Sequence, residues 1–220
     1  MNDGRITIET HHSSDPQRFR TFTVHFFHSY RIHVILTSTP AVVRAWLRKV
    51  RSRFLTHIRS RRLVVGLGVQ WNPYYASAAT LQLCIGHRCL VFQLFHAPRI
   101  PSALRRFLSD TGNTFVGVCN HRDEDMLLGS KHRLLLSNLV DVRDVVTATK
   151  GWSRSLSMEE LASRILGFKG VEKPERIGRS AWDDYWLSEK QVQYASVDAY
   201  LSFSMGKALN VWKWPDSMSL

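Results

Sequence analysis

The chain predicts an α/β fold, a mixed sheet of about five to six strands with helices on both faces. Three observations carry this. Segments of period-two apolar alternation take turns along the chain with segments of helical period. The stretch Val64-Val65-Gly66-Leu67-Gly68-Val69-Gln70-Trp71 is apolar and β-branched and reads as a buried strand, bounded by Arg61-Arg62 and Asn72-Pro73. With 220 residues and 44% hydrophobic content, the chain can bury one real core.

Residues 1–20 are polar and read as a flexible N-terminal arm. Phe22, Val24 and Phe26, then Tyr30, Ile32 and Val34, alternate as two strands joined around His28-Ser29. Thr39-Pro40 opens a helix as N-cap and first helical proline. Val43, Trp46 or Leu47, Val50, Phe54 and Ile58 continue it at helical spacing, and no acid occurs from 41 to 62. After the central strand and a loop over 72–78, Thr80–Ile85 and Cys89–Phe95 form a hairpin around Gly86-His87. That register sets Cys84 opposite Cys89. Two thiols with no further ligands do not make a zinc site, so both read as reduced strand cysteines. A helix runs from Ile100-Pro101 to Leu108, and Phe115–Val118 is a strand. A helix begins near Asp123, and a further strand lies around 139–142. Ser157 with Glu160 and Ser188 with Gln191 are capping boxes for two more helices. Between those helices lies a basic loop with Lys169, Lys173, Arg176 and Arg179. The domain is expected to span 21–208, with 209–220 a frayed tail.

Charge narrows the function. The formal net charge is +12. Residues 1–62 carry 12 Lys and Arg against 3 Asp and Glu, and the remainder 18 against 15. A basic front half fits a polyanion, nucleic acid first and an acidic membrane surface second. Arg44, Arg48 and Arg51 on the first helix, and Lys173, Arg176 and Arg179 on the basic loop, are the candidate phosphate contacts. No apolar run approaches the roughly 20 residues that span a bilayer. No secretory signal is visible, and three cysteines argue against a disulfide scaffold. A nuclear or cytoplasmic protein is expected.

Gly68 and Gln70 project from one face of the central strand. Asp123 starts a helix directly after a strand, and Tyr194 and Asp198 share a helix face. With VVGLGVQW (64–71), ATLQLCIGHRCLVFQL (79–94), FVGVCNHRDEDML (115–127), Ser180-Ala181-Trp182-Asp183 and LSEKQVQYASVDAY (187–200), the chain resembles the 3′–5′ exonuclease domain of the ribonuclease D-like DEDD superfamily, and within it the plant Werner-syndrome-like exonucleases. The resemblance implies a ribonuclease H-like sheet and Mg²⁺ or Mn²⁺ as cofactor. It makes Asp123 the third acid, Asp198 the last acid and Tyr194 the water-orienting tyrosine. Gly68 and Gln70 stand where the family carries Asp-x-Glu.

That departure bears on chemistry. Two-metal cleavage holds two divalent ions about 3.5–4 Å apart, and magnesium takes hard, charged oxygen ligands. The family's first Asp bridges both ions. Glycine offers no ligand and glutamine only a neutral carbonyl. Glu124 and Asp125 sit one and two residues past Asp123 and point elsewhere. Three functions follow from the resemblance: a nucleic-acid binder, for DNA or RNA, with impaired or absent catalysis; a working 3′–5′ exonuclease with a remodelled metal site; or an interaction module paired with a second copy or an active relative. Metal binding through Asp123 and Asp198 is expected to be weak or lost.

Overall fold

The computed structural model describes residues 6–27, 29–72, 74 and 77–214. Among them eight strands form one sheet: β1 (Ile6–His11), β2 (Arg20–Phe26), β3 (Tyr30–Thr37), β4 (Leu63–Trp71), β5 (Ala78–Ile85), β6 (Arg88–Gln93), β7 (Asn113–Gly117) and β8 (Leu139–Asp141). Their spatial order is β1-β2-β3-β6-β5-β4-β7-β8. The mixed α/β class is as expected, but the sheet is wider than five to six strands. The run β6-β5-β4-β7-β8 has β4 at its centre, antiparallel to β5 and parallel to β7. The edge of β6 is then extended by β3 in parallel, with β2 and β1 beyond it.

Ile6–His11, expected in a loose arm, therefore belongs to the sheet. It is an edge strand whose side chains are mostly exposed, so its alternation carries little apolar signal. Residues 1–5 of that arm, the turn residue His28, three positions of the 72–78 loop and residues 215–220 of the tail lie outside the described residues. Within the tail, Val211–Lys213 form a 3₁₀ turn and Val211 is buried.

Eight helices accompany the sheet among the described residues: α1 (Pro40–Arg53), α2 (Leu55–Arg59), α3 (Ser102–Leu108), α4 (Asp123–Gly129), α5 (Val142–Lys150), α6 (Met158–Leu166), α7 (Glu175–Gly178) and α8 (Glu189–Ala208). The single helix expected over 40–58 breaks at Phe54, whose backbone (φ −113°, ψ 23°) leaves the helical region. Helix α5 was not expected. Val142, Val145 and Val146 form its buried stripe, and the Asp141 side chain caps it by accepting from the Arg143 amide. Both capping boxes form, Ser157 with Glu160 on α6 and Ser188 with Gln191 on α8.

Alternation along β4 divides the core. Val65, Leu67 and Val69 pack with Val43, Trp46, Leu47 and Val50 of α1. Val64, on the other face, shares a core with Val192, Ala195 and Ala199 of α8. Helix α8 lies so close over β4 that a Cβ on Gly66 would sit 1.9 Å from the Ala199 carbonyl oxygen. Cys84 and Cys89 are register partners on β5 and β6, and they form a disulfide rather than the reduced pair expected. Directly opposed strand positions bring Cα atoms close, here to 4.2 Å. No helix among the described residues is long and apolar enough to cross a membrane.

Candidate active site

The cleft lies where the second half of β4 meets α8, near the N-terminus of α4. Gly68 faces α8: a Cβ there would lie 3.6 Å from Asp198 Oδ2. One turn earlier on α8, the Tyr194 hydroxyl lies against α7, 2.8 Å from where a Cβ on Gly178 would stand. The two share a helix face because they are four residues apart. Asp123 is buried at the first position of α4. Burial first, then the Asp198 and Asp141 carboxylates, push its carboxyl well above the ordinary value, against a smaller opposing pull from Lys173. The fold thus brings Gly68, Asp123, Tyr194 and Asp198 to one place. Glu124 and Asp125 are exposed, whereas Asp123 is buried.

Two groups at this cleft were not read from sequence in these roles. Lys173, expected as a surface phosphate contact, turns inward instead. Its Nζ is 2.5 Å from Asp198 Oδ1, with side-chain exposures of 17% and 15%. It also lies 5.0 Å from the Tyr194 ring centroid. Burial alone would lower the Lys173 ammonium, but the Asp198 carboxylate and the Tyr194 oxygen hold it above its ordinary value. Burial also raises the Tyr194 phenol, partly offset by Lys173. The second group is Gln82, the register partner of Gly68 across β5. Its Nε2 donates to Thr80 Oγ1 at 2.6 Å, while its fully buried Oε1 has no partner and would lie 2.8 Å from a Cβ on Gly68. No local pattern joins Lys173 to Asp198 across 25 residues. Gln82 becomes visible only once the β4–β5 register is fixed.

This donor set does not fit two divalent ions. No group of three or more His, Cys, Asp or Glu among the described residues is placed to hold a metal. Gly68 supplies no oxygen, and the Asp198 carboxylate already faces an ammonium. Asp141, the next acid, is held in a fork by Arg143, with Nη2 2.7 Å from Oδ2. No metal-dependent step is assigned to these residues.

The remaining basic candidates are spread out. Arg44, Arg48 and Arg51 are exposed on α1 and make no ion pair among the described residues, but α1 packs on the sheet face opposite α8. Arg179 pairs with Glu175 at 2.8 Å on an open surface, and Arg176 is exposed beside it. Behind them Trp182 is buried, donating to the Gly178 carbonyl at 2.9 Å.

Residues 68–211 match a family described as 3′–5′ exonuclease. An Arabidopsis thaliana 3′–5′ exonuclease is 29% identical over 162 residues, covering 70% of this chain and 54% of that protein. The mouse bifunctional 3′–5′ exonuclease/ATP-dependent helicase WRN is 29% identical over 157 residues, 67% of this chain and 11% of that protein. The chain thus spans about half the length of the first relative and about a tenth of the second. Among solved structures, Escherichia coli RNase D superposes with a TM-score of 0.59 at 18% identity, over 71% of this chain and 42% of that one. That likeness concerns the fold, the ribonuclease H-like arrangement expected from the sequence.

Proposed function

We propose, for a chain that belongs to the 3′–5′ exonuclease family, a nucleic-acid-binding domain in which metal-dependent cleavage is impaired or absent. The Lys173–Asp198 ion pair beside Gly68 carries the reading. A resident ammonium balances the carboxylate that would otherwise bind a cation, and the strand opposite offers no acid. The missing Asp-x-Glu removes the ligand that the family uses to bridge two ions, so Mg²⁺ or Mn²⁺ should bind weakly or not at all through Asp123 and Asp198. The Arabidopsis and mouse relatives support placing the chain among Werner-like exonucleases.

The binding half of the reading rests on charge. A net charge of +12 and the exposed arginines of α1, which make no ion pair among the described residues, fit phosphate recognition of DNA or RNA. A second reading, a working exonuclease, is favoured by the convergence of Asp123, Asp198 and Tyr194 in one cleft. Salt-dependent binding tests the first. Affinity for labelled DNA and RNA should fall steeply between 50 and 200 mM salt. Changing Arg44, Arg48 and Arg51 together to Glu should weaken binding across sequences and flatten the salt slope. Unchanged affinity in a folded triple variant would remove α1 from the interface. A wild-type protein that binds neither polymer would overturn the reading.

A further inference from the structure

We propose that α1 docks as a ridge in the major groove of duplex DNA, with cations on its two flanks reaching the two phosphate backbones. The inference rests on the nucleic-acid reading above and adds the form of the polymer and the way the protein holds it. Val43, Trp46, Leu47 and Val50 are the buried side of α1, so helical spacing puts Ala41, Ala45 and Ser52 along its crest, away from the sheet. Arg44 and Arg51 stand on one flank of that crest, Lys49 and Arg53 on the other, and Arg48 beside it. These cations are exposed and make no ion pair among the described residues.

A groove runs along each side of the ridge. One is lined by Ala41, Arg44, Leu47, Arg48 and Arg51 with Ala103 of α3. The other is lined by Ala45, Arg48, Lys49, Ser52 and Arg53 with Arg88 at the start of β6. Arg88 extends the second flank onto the sheet, where its register partner His33 is exposed on β3. Partial burial first, then Arg88, His87, His11 and Arg31, hold the His33 imidazole below its ordinary value, so each charged group acting on it is basic. Residues 16–109 hold 15 Lys and Arg and no Asp or Glu. The elements packed on α1, which are α2, α3 and β6, therefore bring no acid to either groove. Glu9, on the same face of the sheet, lies three strands from β6 on β1, roughly 14 Å away, beside His11 and His25.

Charge calls for a polyanion, and shape selects which one. A helix with its side chains is about 10–12 Å across, and the major groove of B-form DNA, about 12 Å wide, admits one. A phosphate backbone borders that groove on each side, which matches two rows of cations separated by small crest residues. A single strand has one backbone and would leave one row unused. The major groove of an A-form RNA duplex is too deep and narrow for the ridge. An acidic bilayer suits it poorly, because helices that lie in the interface bury bulky apolar side chains, and this crest has none. Helix α1 packs on the sheet face opposite α8. A duplex held there lies outside the cleft with Asp123 and Asp198, on a second binding surface.

Fluorescence anisotropy on the full chain tests this with a labelled, blunt DNA duplex of about 20 base pairs, an RNA duplex of the same sequence and the single DNA strand. The DNA duplex should bind about tenfold or more tighter than either other probe. Arg44→Gln/Arg51→Gln and Lys49→Gln/Arg53→Gln should each reduce the salt slope on the DNA duplex by about 2, one phosphate contact per side chain. Ala45→Phe keeps every charge but raises the crest. It should lose about tenfold or more on the DNA duplex and less than about twofold on the single strand. Ser52→Phe, at an exposed position, should do the same, and circular dichroism confirms folding in each case. A salt slope that responds to one flank only would overturn the docking. So would unchanged DNA-duplex affinity in both crest variants, or equal wild-type affinity for the DNA and RNA duplexes. If the wild type binds the single strand and neither duplex, the docking fails and the nucleic-acid reading stands. If it binds none of the three probes, both fail.

Discussion

The two halves of β4 answer to different demands. In the first half, Gly66 is required by packing, because α8 crosses there with its backbone against the strand. A Cβ on Gly66 would meet the Ala199 carbonyl oxygen at 1.9 Å and the Phe203 amide nitrogen at 2.7 Å. Neither atom can step aside. In the second half, Gly68 faces side chains: the nearest atom to its Cβ position is Gln82 Oε1, the end of a flexible chain. The two glycines share a strand face two residues apart. One is a condition of the fold, and the other opens onto Asp198, at the position that the proposed reading assigns to the family's first Asp.

The largest expected effect breaks that comparison at its packed end. Gly66→Ala should cost about 3 kcal/mol or more, because overpacking against backbone cannot relax by rotamer change. Gly68→Ala should stay within about 1 kcal/mol, since only Gln82 must move. Urea unfolding of the two variants measures both. Equal losses would mean that Gly68 too is held by packing, and that the cleft is no vacancy.

The next effect concerns the cation in the cleft. Lys173→Met should cost about 3 kcal/mol at neutral pH by leaving Asp198 unpaired. Adding Asp198→Asn should recover most of it, since both charges then disappear. Strict additivity would show that the pair is not coupled. The Lys173 pKa is raised on folding, so the pair's contribution is complete below the unfolded value near 10.5. It is lost only as pH rises through the higher folded value.

Asp123 shifts the same way, but its stability is lost from near the ordinary carboxylate value upward rather than from near 10.5. Its carboxyl is raised on folding, so the folded state favours the proton. Stability is greatest below the ordinary value of 3.8 and declines as pH climbs through the folded pKa. Asp123→Asn should therefore raise Tm at neutral pH, by about 2–4 °C for each 1 kcal/mol relieved, and flatten the pH dependence. A lower Tm would mean that a hydrogen bond of the carboxylate outweighs its desolvation.

The sequence revealed the fold through patterns that act locally. The hairpin at Gly86-His87, the two capping boxes and the buried run at β4 each follow from a few adjacent residues, and each is where it was expected. What stayed hidden depends on distance or exposure. The edge strand β1 buries little, so its alternation was muted. Helix α5 was obscured by the short strand that leads into it. At the site, Gly68, Asp123, Tyr194 and Asp198 were legible because they occupy positions of a recognisable ordered set. Lys173 was not, because its charge alone says surface, and only the loop before α7 carries it inward to Asp198.

The central claim, that this cleft does not run metal-dependent cleavage, is tested most directly by incubating end-labelled single-stranded DNA and RNA with Mg²⁺ or Mn²⁺. Three proteins are compared: the wild type, Gly68→Asp/Gln70→Glu, and that pair with Lys173→Met. The wild type should bind the strand and leave its length unchanged. The double variant should trim from the 3′ end weakly, because two carboxylates return while the ammonium stays on Asp198. The triple variant should trim faster and gain Tm with Mn²⁺, since a ligand bound only by the native state stabilises it. Metal-dependent shortening by the wild type that disappears in Asp123→Ala and Asp198→Ala would contradict the account.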